Sequence, residues 1–251
     1  MSGPFAGRSV LVTGAGGGIG RATVAAFAAA GADVTCADLD AESAAAAAKL
    51  AGDDGAVSRA VTTDVTDPES CALAVAAAVH ATGHLDVLVN VAGVGQFAPT
   101  ADVTLEQWQH TLAVNLTGTF LVCQAALPAL LASGGNIVNV ASVAGVRAVP
   151  YNAAYCASKG GVVMLTKSLA VEYGARGVRV NCVCPSSVAT NFLDNFEFTD
   201  EIDRSLFERG RSVIGGVMEP STVATAIAYL ASDDAHMVTG AAFMMDGGAT
   251  A

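Results

Sequence analysis

The sequence predicts an α/β fold: one doubly wound domain, with a seven-stranded, mostly parallel sheet and helices on both faces. Three observations predict it. Short β-branched runs and alanine-rich helical stretches alternate from end to end. The strand runs are nearly continuous in apolar residues, as strands buried on both faces are. The 251 residues, 53% hydrophobic and 14% charged, suffice for one large core, and no interior stretch reads as a linker.

The elements follow in order. Residues 8–13 are the first strand, and a glycine turn leads into an alanine-rich helix to Ala30, ended by Gly31. Residues 32–38 read as the second strand, 41–51 as a helix and 56–65 as the third strand. Pro68 fits the first turn of a helix over 67–82, which stops at Gly83. The fourth strand is 85–91, and one long helix is expected over about 105–131, ended by Gly134 and Gly135. Strands at 136–141, 178–184 and 241–245 alternate with helices at 153–175 and 220–231. Residues 191–211 interrupt the alternation and are rich in phenylalanine and charge.

Composition narrows the function classes. Twelve Lys and Arg against 23 Asp and Glu give a net charge of −11, without the basic footprint that duplex nucleic acid requires. Apolar runs are broken before about 18 residues, so no membrane-spanning helix is expected. The first residues show no basic stretch leading into an apolar one, so a cytoplasmic protein is expected. Cys36, Cys71, Cys123, Cys156, Cys182 and Cys184 lack metal-ligand spacing and read as reduced thiols. His80, His84, His110 and His236 are scattered, and no metal is expected. The chain has three lysines: Lys49, Lys159 and Lys167.

Residues 13–20 read Thr-Gly-Ala-Gly-Gly-Gly-Ile-Gly, directly after a strand and opening a helix. Gly14, Gly16, Gly17, Gly18, Ile19 and Gly20 form a turn whose backbone can approach a pyrophosphate at the helix N-terminus. Asp38 closes the second strand, where a carboxylate accepts hydrogen bonds from the adenosine ribose hydroxyls. That carboxylate would repel a 2′-phosphate, and neither the turn nor Leu39 offers a cation. The domain is therefore expected to be of Rossmann type, with NAD(H) as cofactor.

Tyr155 and Lys159 stand four residues apart and share a helix face. A neighbouring ammonium is expected to lower the tyrosine pKa from about 10, which suits proton transfer. The plain alternative is a lysine that snorkels beside a core tyrosine. Ser142 ends the fifth strand, at the edge where doubly wound folds bind ligands, and residues 90–93, Asn-Val-Ala-Gly, end the fourth. Asn115 sits inside the long helix despite its poor helix propensity, for function or to relieve a kink or meet solvent.

In this order these residues resemble the short-chain dehydrogenase/reductase family, in its classical branch, over about residues 7–248. The resemblance rests on the 13–20 turn, Asp64 with Val65, residues 90–93, Asn115, Ser142, Tyr155 with Lys159, residues 185–190, Thr239-Gly240 and Asp246-Gly247-Gly248. It implies an oxidoreductase that interconverts a secondary alcohol and a ketone. Tyr155 is then the general acid/base, and Lys159 binds the nicotinamide ribose and tunes Tyr155. Ser142 holds the substrate oxygen, and Asn115 holds a relay water through Lys159. Asp64 and Val65 border the adenine, and Asn90, Ala92 and Gly93 line the cofactor ribose. Val188 and Thr190 contact the nicotinamide carboxamide, with Pro185 and Ser187 in the same cofactor-binding segment. Two departures are Val91, where the family commonly has a second Asn, and Ser186, where it has Gly. A serine at 186 restricts the backbone and lines the substrate pocket.

Phe192, Phe196, Phe198 and Phe207, with Leu193, Ile202 and Leu206, alternate with acids and read as an amphipathic lid at about 191–211. Core packing or a subunit contact is the alternative. The lid implies an apolar substrate: a hydroxysteroid-like, cyclic or aliphatic alcohol. Val94, Gln96, Val149, Tyr151, Ser186, Phe192 and Phe196 are the candidate pocket residues. Cys156 adjoins Tyr155 but lies about 100° round the helix, so it reads as packing. Two other functions stand beside this one: a 3-oxoacyl-thioester reductase and a non-catalytic dinucleotide-sensing module. The resemblance also implies a homotetramer through helices 105–131 and 153–175, where Ala153, Ala154, Ala157, Gly160 and Gly161 permit close approach.

Overall fold

The computed structural model describes residues 3–51, 57–190, 202–210 and 212–251. Its strands are β1 (Ser9–Thr13), β2 (Asp33–Asp38), β3 (Ser58–Thr62), β4 (Val87–Asn90), β5 (Asn136–Val140), β6 (Arg179–Pro185) and β7 (Ala242–Met245). They form one sheet in the order β3-β2-β1-β4-β5-β6-β7, with each neighbouring pair parallel. β1, β4 and β5 are buried at every residue, as their continuous apolar runs require.

The helices are α1 (Gly18–Ala29), α2 (Ala41–Ala48), α3 (Pro68–Thr82), α4 (Leu105–Leu112), α5 (Thr119–Ser133), α6 (Ala153–Tyr173) and α7 (Pro220–Ala231). They cover both faces. On one face Val24 and Phe27 of α1 meet Ile227 and Leu230 of α7. On the other, Val75 of α3, Leu130 of α5 and Leu169 of α6 pack over Leu88 and Ile137. β1 lies between β2 and β4, so the winding direction reverses between β1 and β4. Their carboxyl ends, Thr13 and Asn90, pair side by side and open the crevice where such folds hold ligands.

The third strand is shorter than 56–65, and the fourth is shorter than 85–91. The long helix is also not uniform: Ala113–Gly118 forms a π-helical turn between α4 and α5. Such turns commonly mark functional sites, and this one contains Asn115. Gly118 makes it possible, because a Cβ there would stand 2.8 Å from Val65 Cγ2.

The combined stretch Leu105–Ser133 spans 29 residues and is long and apolar enough to cross a membrane by length and composition. This corrects the expectation that apolar stretches end sooner; Asn115, Thr117 and Gly118 interrupt the run of side chains but not the helix. α5 turns Val122, Cys123, Ala126 and Leu130 into the protein core.

Candidate active site

The site assembles where β1, β4, β5 and β6 end. After β1 the chain turns sharply at Gly14, whose φ of +62° is left-handed. A Cβ on Gly14 would stand 2.7 Å from the Ala92 backbone, so this glycine lets the turn nest against the end of β4. Thr13 Oγ1 accepts from Val91 N at 3.3 Å and locks the same junction. α1 follows its N-cap Gly17 with no side-chain cap and no acid in its first turn. Its first helical amides therefore have no side-chain cap, the setting that suits a phosphate. A Cβ on Gly18 would meet Thr190 Cγ2 at 2.5 Å, which places the segment after β6 against the same turn.

Asp38 is tied to this turn. Its Oδ2 accepts from Gly16 N at 2.8 Å and its Oδ1 from Asp40 N at 3.1 Å. Leu39 beside it is 69% exposed. Asp64 accepts from Thr66 N at 2.8 Å, and Val65 is buried against the π-helical turn. An uncapped helix start beside the Asp38 carboxylate forms a cradle that fits a dinucleotide lacking a 2′-phosphate.

Ser142, Tyr155 and Lys159 converge beside the cradle. Ser142 caps the short 3₁₀ turn Val143–Gly145, with Oγ accepting from Ala144 N at 3.1 Å. That leaves the serine proton for another acceptor, and the Ser142 side chain hydrogen-bonds Tyr155. α6 reaches this spot because Gly145 permits close packing: a Cβ there would stand 2.5 Å from the Lys159 carbonyl oxygen. Lys159 is buried, its Nζ donates to Val140 O at 2.8 Å, and it lies 5.7 Å from the Tyr155 ring centroid.

The electrostatics correct one expectation. Burial pushes the Tyr155 phenol up to about 12, against the downward pull of Ser142. Burial pushes the Lys159 ammonium down to about 8. Desolvation is the largest influence on Tyr155 and Ser142 the one that lowers its pKa, so the phenol stays protonated at neutral pH.

Asn115 is buried in the π-helical turn. Its Oδ1 accepts from Val94 N and its Nδ2 donates to Val94 O, both at 2.8 Å, and Nδ2 also donates to Ser158 Oγ at 3.0 Å. A Cβ on Gly93 would stand 3.3 Å from Asn115 Oδ1 and 3.4 Å from Lys159 Nζ, so the two side chains converge at that bare backbone.

A family described as "Enoyl-(Acyl carrier protein) reductase" matches residues 14–250. A D-threitol dehydrogenase of Mycolicibacterium smegmatis is 45% identical over 97% of this chain and 93% of its own length. A 2-(S)-hydroxypropyl-CoM dehydrogenase of Xanthobacter autotrophicus is 39% identical over 100% of both chains. The crystal structure of a carveol dehydrogenase from Mycobacterium avium in complex with NAD superposes with a TM-score of 0.91, at 30% identity, over 98% of this chain and 99% of that one.

The chain belongs to the short-chain dehydrogenase/reductase family. As an enzyme of this family it holds most of the expected residues at one edge of the sheet. The Asn90 side chain turns into the protein, where Nδ2 donates to Asn139 Oδ1 at 2.9 Å and Cys123 Sγ at 3.3 Å and braces β4 against β5. Ala92 abuts the Gly14 turn, and Gly93 lies against Asn115 Oδ1 and Lys159 Nζ. Pro185 ends β6, Ser187 and Val188 are held by Met218, and Ser186 N donates to Met245 O at 2.9 Å. Ser186 takes no left-handed φ, so the residue that replaces glycine fits without strain.

Among the pocket candidates, Val94 is gripped by Asn115, Gln96 is exposed, and Val149 N donates to Cys156 Sγ at 3.4 Å. Cys156 is thus a packing thiol, and all six cysteines are free. Phe192 and Phe196 lie outside the described residues, as does most of the expected lid; Phe207 lies within them. Among the described residues no group of three or more His, Cys, Asp or Glu is placed to hold a metal. Sequence reasoning missed Ser158, Asn139 and Thr166. Asn139 Nδ2 donates to Thr166 Oγ1 at 2.9 Å and continues the Asn90 chain into α6. A signal was present: polar residues in otherwise apolar strand and helix runs need partners.

Proposed function

We propose that this enzyme interconverts a secondary alcohol and a ketone with NAD(H), Tyr155 exchanging the proton with the substrate oxygen. The observation that carries the reading is the Ser142–Tyr155 hydrogen bond beside the buried Lys159, at the edge of the glycine cradle. NAD(H) rather than NADP(H) is supported by Asp38 and by the exposed Leu39, where no cation stands. Gly14, Gly16, Gly17, Gly18, Ile19, Gly20, Asp38, Leu39, Asp64, Val65, Ala92, Gly93, Lys159 and the 185–190 segment would hold the dinucleotide. The nicotinamide, when bound, supplies hydride exchange.

The chain's own residues manage the oxygen. As a neutral phenol, Tyr155 is ready to protonate a developing alkoxide in reduction. In oxidation it must first lose its proton, helped by the Ser142 hydroxyl that pulls its pKa down. Asn115 acts as a positioning residue that fixes Val94, and a relay water between Asn115 and Lys159 belongs to the same proposal, supported by their convergence at Gly93.

The three relatives are named for a tetritol, a coenzyme M conjugate and carveol, so an apolar substrate rests on this chain's own residues. Phe97 meets Phe207 at 5.7 Å and Tyr151 stacks on Phe207 at 6.0 Å, an aromatic cluster above the sheet edge. A single domain with a substrate cover at 191–211 is the matching organisation. Two exposed apolar faces support a homotetramer: Phe120, Met164 and Val171 on α5 and α6, and Tyr229 with Phe243 on α7 and β7. The first face and the buried packing of α5 also favour a protein partner over a membrane. Free thiols and the acidic balance support a cytoplasmic protein with no nucleic-acid partner.

The test is a turnover screen across secondary alcohols, hydroxysteroids, sugar alcohols and hydroxyacyl thioesters. Oxidation of cyclic or aliphatic alcohols with NAD, and not NADP, is the expected result. Turnover of thioesters alone, or preference for NADP, would overturn it, and no turnover at all would favour a sensing module.

A further inference from the structure

Tyr151 is the one described non-glycine residue with a left-handed backbone, at φ +59°. Bulky side chains seldom take that conformation, and such strain is kept where surrounding contacts enforce it. Those contacts tie three segments together above the sheet edge. The Tyr151 carbonyl accepts from Ala98 N at 2.9 Å, in the loop after β4. The phenol oxygen accepts from Asp203 N at 3.0 Å, in the segment after β6. The ring stacks on Phe207, which meets Phe97 edge-on. Tyr151 also stands four residues before Tyr155, so the same stretch of chain sets both.

We propose that Tyr151 is a specificity-determining residue. Its phenol holds residues 202–210 over the cleft. Its ring, with Phe97 and Phe207, forms an apolar wall for the non-reacting carbon skeleton of a cyclic alcohol. The inference rests on the alcohol reading above. It predicts a site that rewards a ring-sized apolar group.

The experiment compares wild type with Tyr151→Phe and Phe207→Ala, using cyclohexanol and 2-propanol with NAD, and trypsin cleavage after Arg204. Tyr151→Phe removes only the bond to Asp203 N, and KM for cyclohexanol rises about fivefold while kcat stays within about twofold. Phe207→Ala raises the cyclohexanol KM about tenfold and leaves that for 2-propanol within about twofold. Cleavage after Arg204 becomes several-fold faster in Tyr151→Phe, in parallel with loosening of the segment. Unchanged KM values and unchanged cleavage would overturn the proposal, as would an equal loss for both alcohols. If wild type oxidises neither alcohol, the function reading fails instead, and the cleavage rates alone decide whether Tyr151 holds the segment.

Discussion

Lys159 directs its ammonium at the carbonyl of Val140, 2.8 Å away at the last residue of β5. The strand end thereby fixes where the cation of the site stands. The arrangement costs stability, because burial depresses the ammonium from 10.5 to about 8. A charged lysine is penalised fully below pH 8, and the penalty fades between 8 and 10.5 as the unfolded chain also loses the proton.

Lys159→Met therefore separates stability from activity. It removes a penalty of about 3 kcal/mol at neutral pH and loses one hydrogen bond worth about 1 kcal/mol. The variant is expected to melt about 5 °C higher at pH 7, with the gain shrinking as pH rises past 8, while turnover is lost. Calorimetry at pH 7 and pH 10 checks this, and a lower melting point at pH 7 would count against a buried charge.

Ser142→Ala tests the hydrogen bond to Tyr155. The serine pulls the phenol down against burial, so its removal raises that pKa further. Alcohol oxidation, which needs the deprotonated tyrosine, should rise with pH along a limb displaced to higher pH, with kcat down about 100-fold. A pH profile of kcat/KM reads the displacement, and an unmoved limb would detach Ser142 from Tyr155.

Much of this was legible in the sequence because covalent spacing dictates it. A tyrosine and lysine four apart on a helix must share a face, and glycines after a buried strand must turn. Lys159's partner was hidden, because Val140 O belongs to the backbone of another element. The partner of Asn90 was hidden for the same reason: Asn139 lies 49 positions away, and only the β4–β5 register makes them neighbours. The π-helical turn at Asn115 escaped helical periodicity, since it arises from Val94 gripping the side chain and from Gly118 clearing Val65.

Cofactor choice rests on a carboxylate beside an exposed leucine. Leu39→Arg combined with Asp38→Asn keeps an acceptor for Gly16 N and adds a cation for a 2′-phosphate. The KM for NADPH should fall about tenfold, worth about 1.4 kcal/mol, with that for NADH rising. Steady-state kinetics with both cofactors measure it, and an unaltered ratio would move discrimination elsewhere.

Assembly is tested at Phe120, 42% exposed on α5. Phe120→Asp places a charge in the proposed contact, and light scattering should show a smaller species with the helical content unchanged by circular dichroism. A wild-type monomer, or an unchanged tetramer in the variant, contradicts the assignment of that face.

The central claim is that the Tyr155 hydroxyl moves the proton. Tyr155→Phe removes that oxygen and little else. A stopped-flow measurement of ketone reduction by the NADH complex reads the step directly. NADH binding within about twofold of wild type, with hydride transfer slower by about 1,000-fold or more, is the predicted result. Normal binding with an unchanged transfer rate would contradict the account.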